Sequence, residues 1–256
     1  MKNRFLSLIK NTSKEAVSQE CIVSDISEIW NAPSYVDSRR FEPDPGQMEA
    51  NRCMCMFAGS NVLEDYTQLR AQILQKTREK GWNTIMITSA GSGAGKTVTA
   101  INLALTLAKT CDDTVLLVDC DLKNQTIYRY MGIPGDKGLV DILINGDVMN
   151  QVMVWPGIEK MTVISGGRPI QGSSELLGSP QMGALVAEMK QRYSDRTVFF
   201  DVPACLQSAD ALTFAPLVDA ILLVVEEGTT THKDIDAALG ILPRDKIIGF
   251  VMNRKK

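Results

Sequence analysis

Lys96 and Thr97 close a run of small residues, Ala90-Gly91-Ser92-Gly93-Ala94-Gly95. An apolar stretch, TIMIT (84–88), precedes the run, and a helix-like stretch, KTVTAINLALTLAK, follows it. Glycines let successive backbone N–H groups turn toward one point and surround the oxygens of an anion. A helix opening there adds the positive end of its dipole. The spacing is that of a phosphate-binding loop, G-x-x-x-x-G-K-[ST], with alanine in its first position. Gly91 through Gly95, with Lys96, Thr97 and Val98, are therefore expected to hold a nucleoside triphosphate. Lys96 would neutralise the β- and γ-phosphates, and the Thr97 hydroxyl would take a place on Mg²⁺.

Carboxylates stand at the ends of two other apolar runs. TVLLVDCDLK carries Asp119 and Asp121, and TVFFDVPA carries Asp201. A carboxylate at the end of such a run is costly unless it meets a cation, donors or water. For any one of them a capped turn is the simpler account. Three beside a phosphate loop suit a metal ion and a general base. Other reactive types offer less. His232, the only histidine, opens a helix-like stretch and reads as a surface residue. Cys120, between two aspartates, reads as a small buried filler. Cys53 and Cys55 lack the further ligands that a tetrahedral metal site requires, and the six scattered cysteines read as reduced thiols.

The elements that must position these residues are legible in outline. Strand-like runs at 84–88, 114–119, 161–165, 197–201, 220–225 and 247–252 alternate with helix-like stretches. Runs apolar on both faces, separated by helices, predict an α/β fold: a mostly parallel central sheet with helices on both faces. Ligands in such sheets sit beyond the carboxyl ends of the strands, where the aspartates fall. Upstream, Val62, Tyr66, Leu69 and Ile73 share one face of a helix that Gly81 ends. Residues 1–60, with the Pro- and charge-rich NAPSYVDSRRFEPDPGQ, read as an arm or linker, and 61–256 as the nucleotide-binding domain.

Composition sets bounds. A chain of 256 residues with 45% hydrophobic residues can bury a large core without disulfides. A net charge of −3 argues against nucleic acid as a partner. No segment reaches the apolar length of a membrane span, so a soluble protein is expected, and the basic N-terminal MKNRFLSLIK reads as a docking helix.

Taken in order, these motifs resemble those of the bacterial tyrosine kinases, P-loop ATPases related to MinD and ParA that work in capsule and exopolysaccharide assembly. The resemblance runs from about Val62 to residue 256. The family's D-x-D-x-R appears as DCDLK, with Lys123 for arginine; its D-x-P-P appears as DVPA, with Ala204 for proline. GSSELLGS matches its E-L-L-x-S segment. Its E-x-x-R-x-x-R helix, which packs subunits into a ring, is echoed by Glu64, Thr67 and Arg70. Position 91 is glycine, where MinD and ParA relatives carry a lysine, which favours the kinase branch.

The resemblance implies Mg²⁺-dependent transfer of the ATP γ-phosphoryl group to tyrosine, with ADP as product. Lys96, Asp119, Asp121 and Asp201 would be catalytic, and Thr97, Asp119 and Asp201 would lie on the metal side. Asn253 corresponds to an asparagine that contacts adenine in related ATPases. It further implies a homo-oligomer through the Glu64/Arg70 helix and a membrane polysaccharide co-polymerase, on a separate chain, as activator. The protein would then be cytoplasmic, held at the inner face of the membrane through that partner. The family usually carries a tyrosine-rich tail, and no tyrosine follows Tyr193 in this sequence. The acceptor is then expected in the arm (Tyr35) or on another protein. The competing expectation is a nucleotide-dependent interaction switch that hydrolyses ATP without phosphorylating tyrosine.

Overall fold

The computed structural model describes residues 39–110, 113–192 and 195–254. The N-terminal stretch through residue 38, with Cys21 and Tyr35, lies outside the described residues, as do Cys111 and Tyr193. The strands are β1 (Arg39–Arg40), β2 (Thr84–Ser89), β3 (Thr114–Asp119), β4 (Val154–Trp155), β5 (Met161–Ile164), β6 (Arg196–Asp201), β7 (Ala220–Glu226) and β8 (Ile247–Asn253). They form one sheet in the order β1-β4-β5-β3-β6-β2-β7-β8. All neighbours are parallel except β4 and β5. Six of the eight are the six predicted runs. β1 and β4, two residues each, are too short to leave a periodic signal.

Every residue of β2, β3, β5 and β6 is buried, which requires cover on both faces. The period of two decides which side chain meets which cover. Ile85, Ile87, Val115, Leu117, Phe199 and Leu222 enter one core; Met86, Leu116, Val118, Phe200 and Ile221 enter the other. The helices are α1 (Pro45–Ala50), α2 (Leu63–Arg78), α3 (Lys96–Leu107), α4 (Ile127–Met131), α5 (Met149–Val152), α6 (Ser173–Leu177), α7 (Pro180–Gln191), α8 (Asp210–Phe214) and α9 (His232–Ile241). α3 lies under α2 against the first core, which is why ten of its twelve residues are buried. α7 and α8 cover the second core, where Phe214 meets Phe200 edge-on with ring centroids 5.0 Å apart.

α2 begins and ends close to the predicted helix. Ile73 is buried, and Tyr66 and Leu69 pack against the core. Its Arg70 donates to the Thr106 carbonyl at 2.7 Å, tying α2 to α3 within one chain.

The packed domain reaches upstream of the expected boundary at residue 61. β1 pairs with β4, and Met48, Cys53 and Cys55 are fully buried in the first core. Buried Asn102 of α3 accepts from Cys55 N–H (2.9 Å) and donates to the Arg52 carbonyl (2.9 Å). Prolines and charges gave this segment the composition of a linker, but a few apolar side chains and one amide anchor it. Among the described residues no helix is long and apolar enough to cross a membrane.

Candidate functional site

β2 ends at Ser89, and the chain turns through 90–95 before α3 opens at Lys96. Gly93 (φ +80°) and Gly95 (φ +89°) take left-handed conformations that suit glycine. Gly95 is required a second time by packing. A Cβ there would lie 2.0 Å from Asn253 Nδ2. Asn253 ends β8, donates to the Ala94 carbonyl at 2.8 Å, and accepts from the Arg254 N–H at 2.9 Å. The edge strand thus holds the loop. Gly91 faces open space, and Ser92 and Gly93 are exposed.

The sheet order brings the acids to this loop. β6 lies between β2 and β3, and Asp119 and Asp201 are register partners at neighbouring strand ends. Lys96 Nζ lies 3.1 Å from Asp121 Oδ2 and 3.6 Å from Asp201 Oδ1. Thr97 Oγ1 donates to Asp201 Oδ2 at 2.6 Å. Asp119 is committed to the backbone: its oxygens accept the N–H groups of Asp121 (3.0 Å), Thr126 (3.1 Å) and Ile127 (3.1 Å). Asp121 is less enclosed, with 12% of its side chain exposed against none for Asp201.

One ammonium thus faces three carboxylates. Burial pushes Asp119 upward and repulsion from Asp201 adds to it, against the backbone donors and Lys96. Burial likewise raises Asp201, opposed by Lys96 and the Thr97 hydroxyl. Burial would lower Lys96, but attraction from Asp201, Asp121 and Asp119 outweighs it and the ammonium is held charged. The fully buried Asp201 Oδ1 has no hydrogen-bond partner. A buried oxygen with no hydrogen bond and only the Lys96 ammonium at 3.6 Å, in a cluster with excess negative charge, matches a hard divalent cation.

Thr97 Oγ1 and Asp201 therefore fit Mg²⁺ well. Asp119, already accepting three N–H bonds, is better suited to hold the loop after β3 than to bind the ion directly. Among the described residues no group of three or more His, Cys, Asp or Glu side chains is disposed to hold a metal by itself. Mg²⁺ does not need one, because it uses one or two carboxylates and keeps several waters.

The structure adds residues that the sequence did not single out. Thr126 Oγ1 lies 3.5 Å from Thr97 Oγ1. Lys123 approaches fully buried Asp210 at 3.7 Å, and Asp210 also accepts from Ser173 Oγ at 2.8 Å. Asp210 sits in an ordinary helical run, so only its burial reveals it. A cavity of about 530 Å³ opens beside the loop, with Arg52, Tyr66, Val98, Phe250, Asn253 and Arg254 among its walls. His232 is exposed in the first turn of α9, and Cys120 is a fully buried core residue.

A glycine turn between a central parallel strand and a helix, its lysine and threonine facing carboxylates at adjacent strand ends, defines a P-loop nucleotide-binding domain. Residues 85–256 match the CobQ/CobB/MinD/ParA nucleotide binding domain model. Over 195 residues the chain is 31% identical to tyrosine-protein kinase YwqD of Bacillus subtilis, covering 75% of this chain and 81% of that one. The kinase domain of Escherichia coli tyrosine kinase ETK shares the fold with a TM-score of 0.72, at 23% identity, over 95% of this chain and 97% of that one. The septum site-determining protein MinD of Pyrococcus horikoshii, complexed with Mg-ADP, matches with a TM-score of 0.55, at 22% identity, over 67% of this chain and 70% of that one. The chain belongs to the CobQ/CobB/MinD/ParA nucleotide-binding family and, within it, to the bacterial tyrosine-protein kinases.

Proposed function

We propose that the protein is an ATP- and Mg²⁺-dependent protein-tyrosine kinase that regulates the assembly of exopolysaccharide or capsule. The observation that carries this reading is the convergence of Lys96, Thr97, Asp121 and Asp201 behind the glycine turn. In this reading the loop amides and Lys96 take the phosphates, and Val98 and Asn253 border the cavity that receives the base. Thr97 and Asp201 would hold Mg²⁺, which would supply charge neutralisation for the triphosphate. Lys96 leaves its carboxylates for the phosphate oxygens, which frees Asp121. Asp121 is the better base: it reaches the surface, whereas Asp119 holds three backbone N–H groups. A neutral tyrosine Oη attacks the γ-phosphorus and gives its proton to Asp121, and the bond to the bridging oxygen breaks to release ADP. Because this transition state is loose, positioning and charge neutralisation supply most of the acceleration.

The described tyrosines, Tyr66, Tyr128 and Tyr130, are half-buried and pack against the core. The acceptor is therefore placed outside this set, in the arm at Tyr35, on a neighbouring copy or on another protein. Assembly through the exposed Glu64 side of α2 and recruitment to the membrane by a co-polymerase belong to the same reading. The second reading, a nucleotide-dependent switch, is favoured by the departures at Thr67, Lys123 and Ala204.

Incubation of the purified protein with Mg-ATP, with and without a tyrosine-rich peptide, separates the two. The kinase gives phosphotyrosine in at least one condition. Phosphate release with no phosphotyrosine in either supports the switch and retires the kinase.

A further inference from the structure

The described residues include three non-glycine positions with positive φ: Arg52 (+61°), Lys160 (+63°) and Arg254 (+56°). Two of the three are arginines, and both line the cavity of about 530 Å³ beside the phosphate loop. A left-handed backbone is unfavourable for a side chain of this size, so it persists only where neighbours enforce it. At Arg52 the enforcement is visible. Buried Asn102, on the phosphate-loop helix, donates to the Arg52 carbonyl at 2.9 Å and accepts from Cys55 N–H at 2.9 Å. The next residue, Cys53, is fully buried and donates its N–H to the Met48 carbonyl at 2.8 Å.

The two arginines differ in what they hold. Arg254 is spent on Glu226, at 2.7 Å. Arg52 is exposed and makes no ion pair among the described residues. Its backbone is thus fixed at the rim of the cavity while its guanidinium is uncommitted. The Asn253 amide, which lines the same cavity, already spends one N–H on the Ala94 carbonyl and one lone pair on the Arg254 N–H, which leaves half of its hydrogen-bonding capacity to read a base.

We propose that Arg52 is a nucleotide-contacting residue: its planar guanidinium closes the cavity over the face of the nucleobase. This rests on the reading that the phosphates lie in the 91–97 loop. A guanidinium over an aromatic face is attracted by the ring's quadrupole, and the interaction strengthens as water is excluded. Segment 45–57, anchored by Met48, Cys53 and Asn102, is then a wall of the nucleotide site.

Titration calorimetry on the whole chain tests this with two probes, Mg-ADP and Mg-tripolyphosphate, the second having phosphates but no base. Arg52→Gly removes the guanidinium and suits φ +61°, so the variant should keep its fold, verified by thermal unfolding. Arg52→Lys keeps the charge without the plane. Arg52→Gly is expected to weaken Mg-ADP roughly three- to tenfold and leave Mg-tripolyphosphate within twofold, with Arg52→Lys intermediate. Unchanged Mg-ADP affinity in Arg52→Gly overturns the proposal and leaves the phosphate site standing. Equal weakening of both probes also overturns it, because Arg52 would then act on phosphate. If the unaltered protein takes up neither probe, the nucleotide reading itself fails and this inference with it.

Discussion

Lys96 is the residue whose loss should be felt in both chemistry and stability. It is the single cation among three carboxylates, so its removal withdraws their neutralising partner and, in the proposed reading, a phosphate contact. Lys96→Met is expected to lower turnover by at least about a hundredfold, the scale of a lost transition-state charge contact. It should also lower the unfolding midpoint of the metal-free protein at pH 8, where Asp119, Asp121 and Asp201 are left with no cation. Turnover like that of the unaltered protein would reject the site.

Asp201 gives the opposite sign in stability. Its folded pKa is raised, chiefly by burial. For such an acid both states are protonated below the unfolded pKa, so the penalty is absent there; above the folded pKa it is complete. Asp201→Asn should therefore raise the metal-free midpoint at pH 8 by about 2–4 °C for each kcal/mol relieved, and change it little near pH 3, below the unfolded pKa. Mg²⁺-dependent turnover should fall in the same variant. A midpoint lowered equally at both pH values would contradict burial as the dominant cause.

At the scale of elements, the turn between β2 and α3 is held from outside itself. Asn253 comes from the far edge of the sheet and occupies the space that a side chain at position 95 would need. Gly95→Ala should abolish detectable Mg-ADP binding, since a methyl 2.0 Å from Asn253 Nδ2 at φ +89° forces the loop to move. Gly91→Ala, whose Cβ would meet nothing within 4 Å, should keep affinity within a few fold. Calorimetry on the two variants checks the contrast, and equal losses would show that flexibility, not packing, is what the loop requires. Both are glycines of one motif, and they differ in the left-handed backbone and the close packing that position 95 alone of the two has.

For the molecule as a whole, the main consequence concerns where the domain starts. Met48, Cys53 and Cys55 are fully buried with the side chains of α3. A chain beginning at residue 61 should lose at least about 2–5 kcal/mol, the scale of deleting one large buried side chain. Chemical denaturation measures it. Equal stability of the two chains would return segment 39–60 to the status of a linker.

The sequence by itself determined the phosphate loop, the three strand-end aspartates, the six long strands and the alternation that makes the sheet parallel. These are local patterns: a glycine spacing, a run of apolar residues, a period. Only the tertiary structure decided that Asp119 and Asp201 stand side by side, that Asn253 braces Gly95, and that Asp210 is buried against Ser173. It also brought residues 45–57 into the core. The reason is physical: strand order, and the few contacts that anchor an irregular segment, are set by which surfaces exclude water together. Residues as far apart as 94 and 253 leave no trace of that in their spacing along the chain.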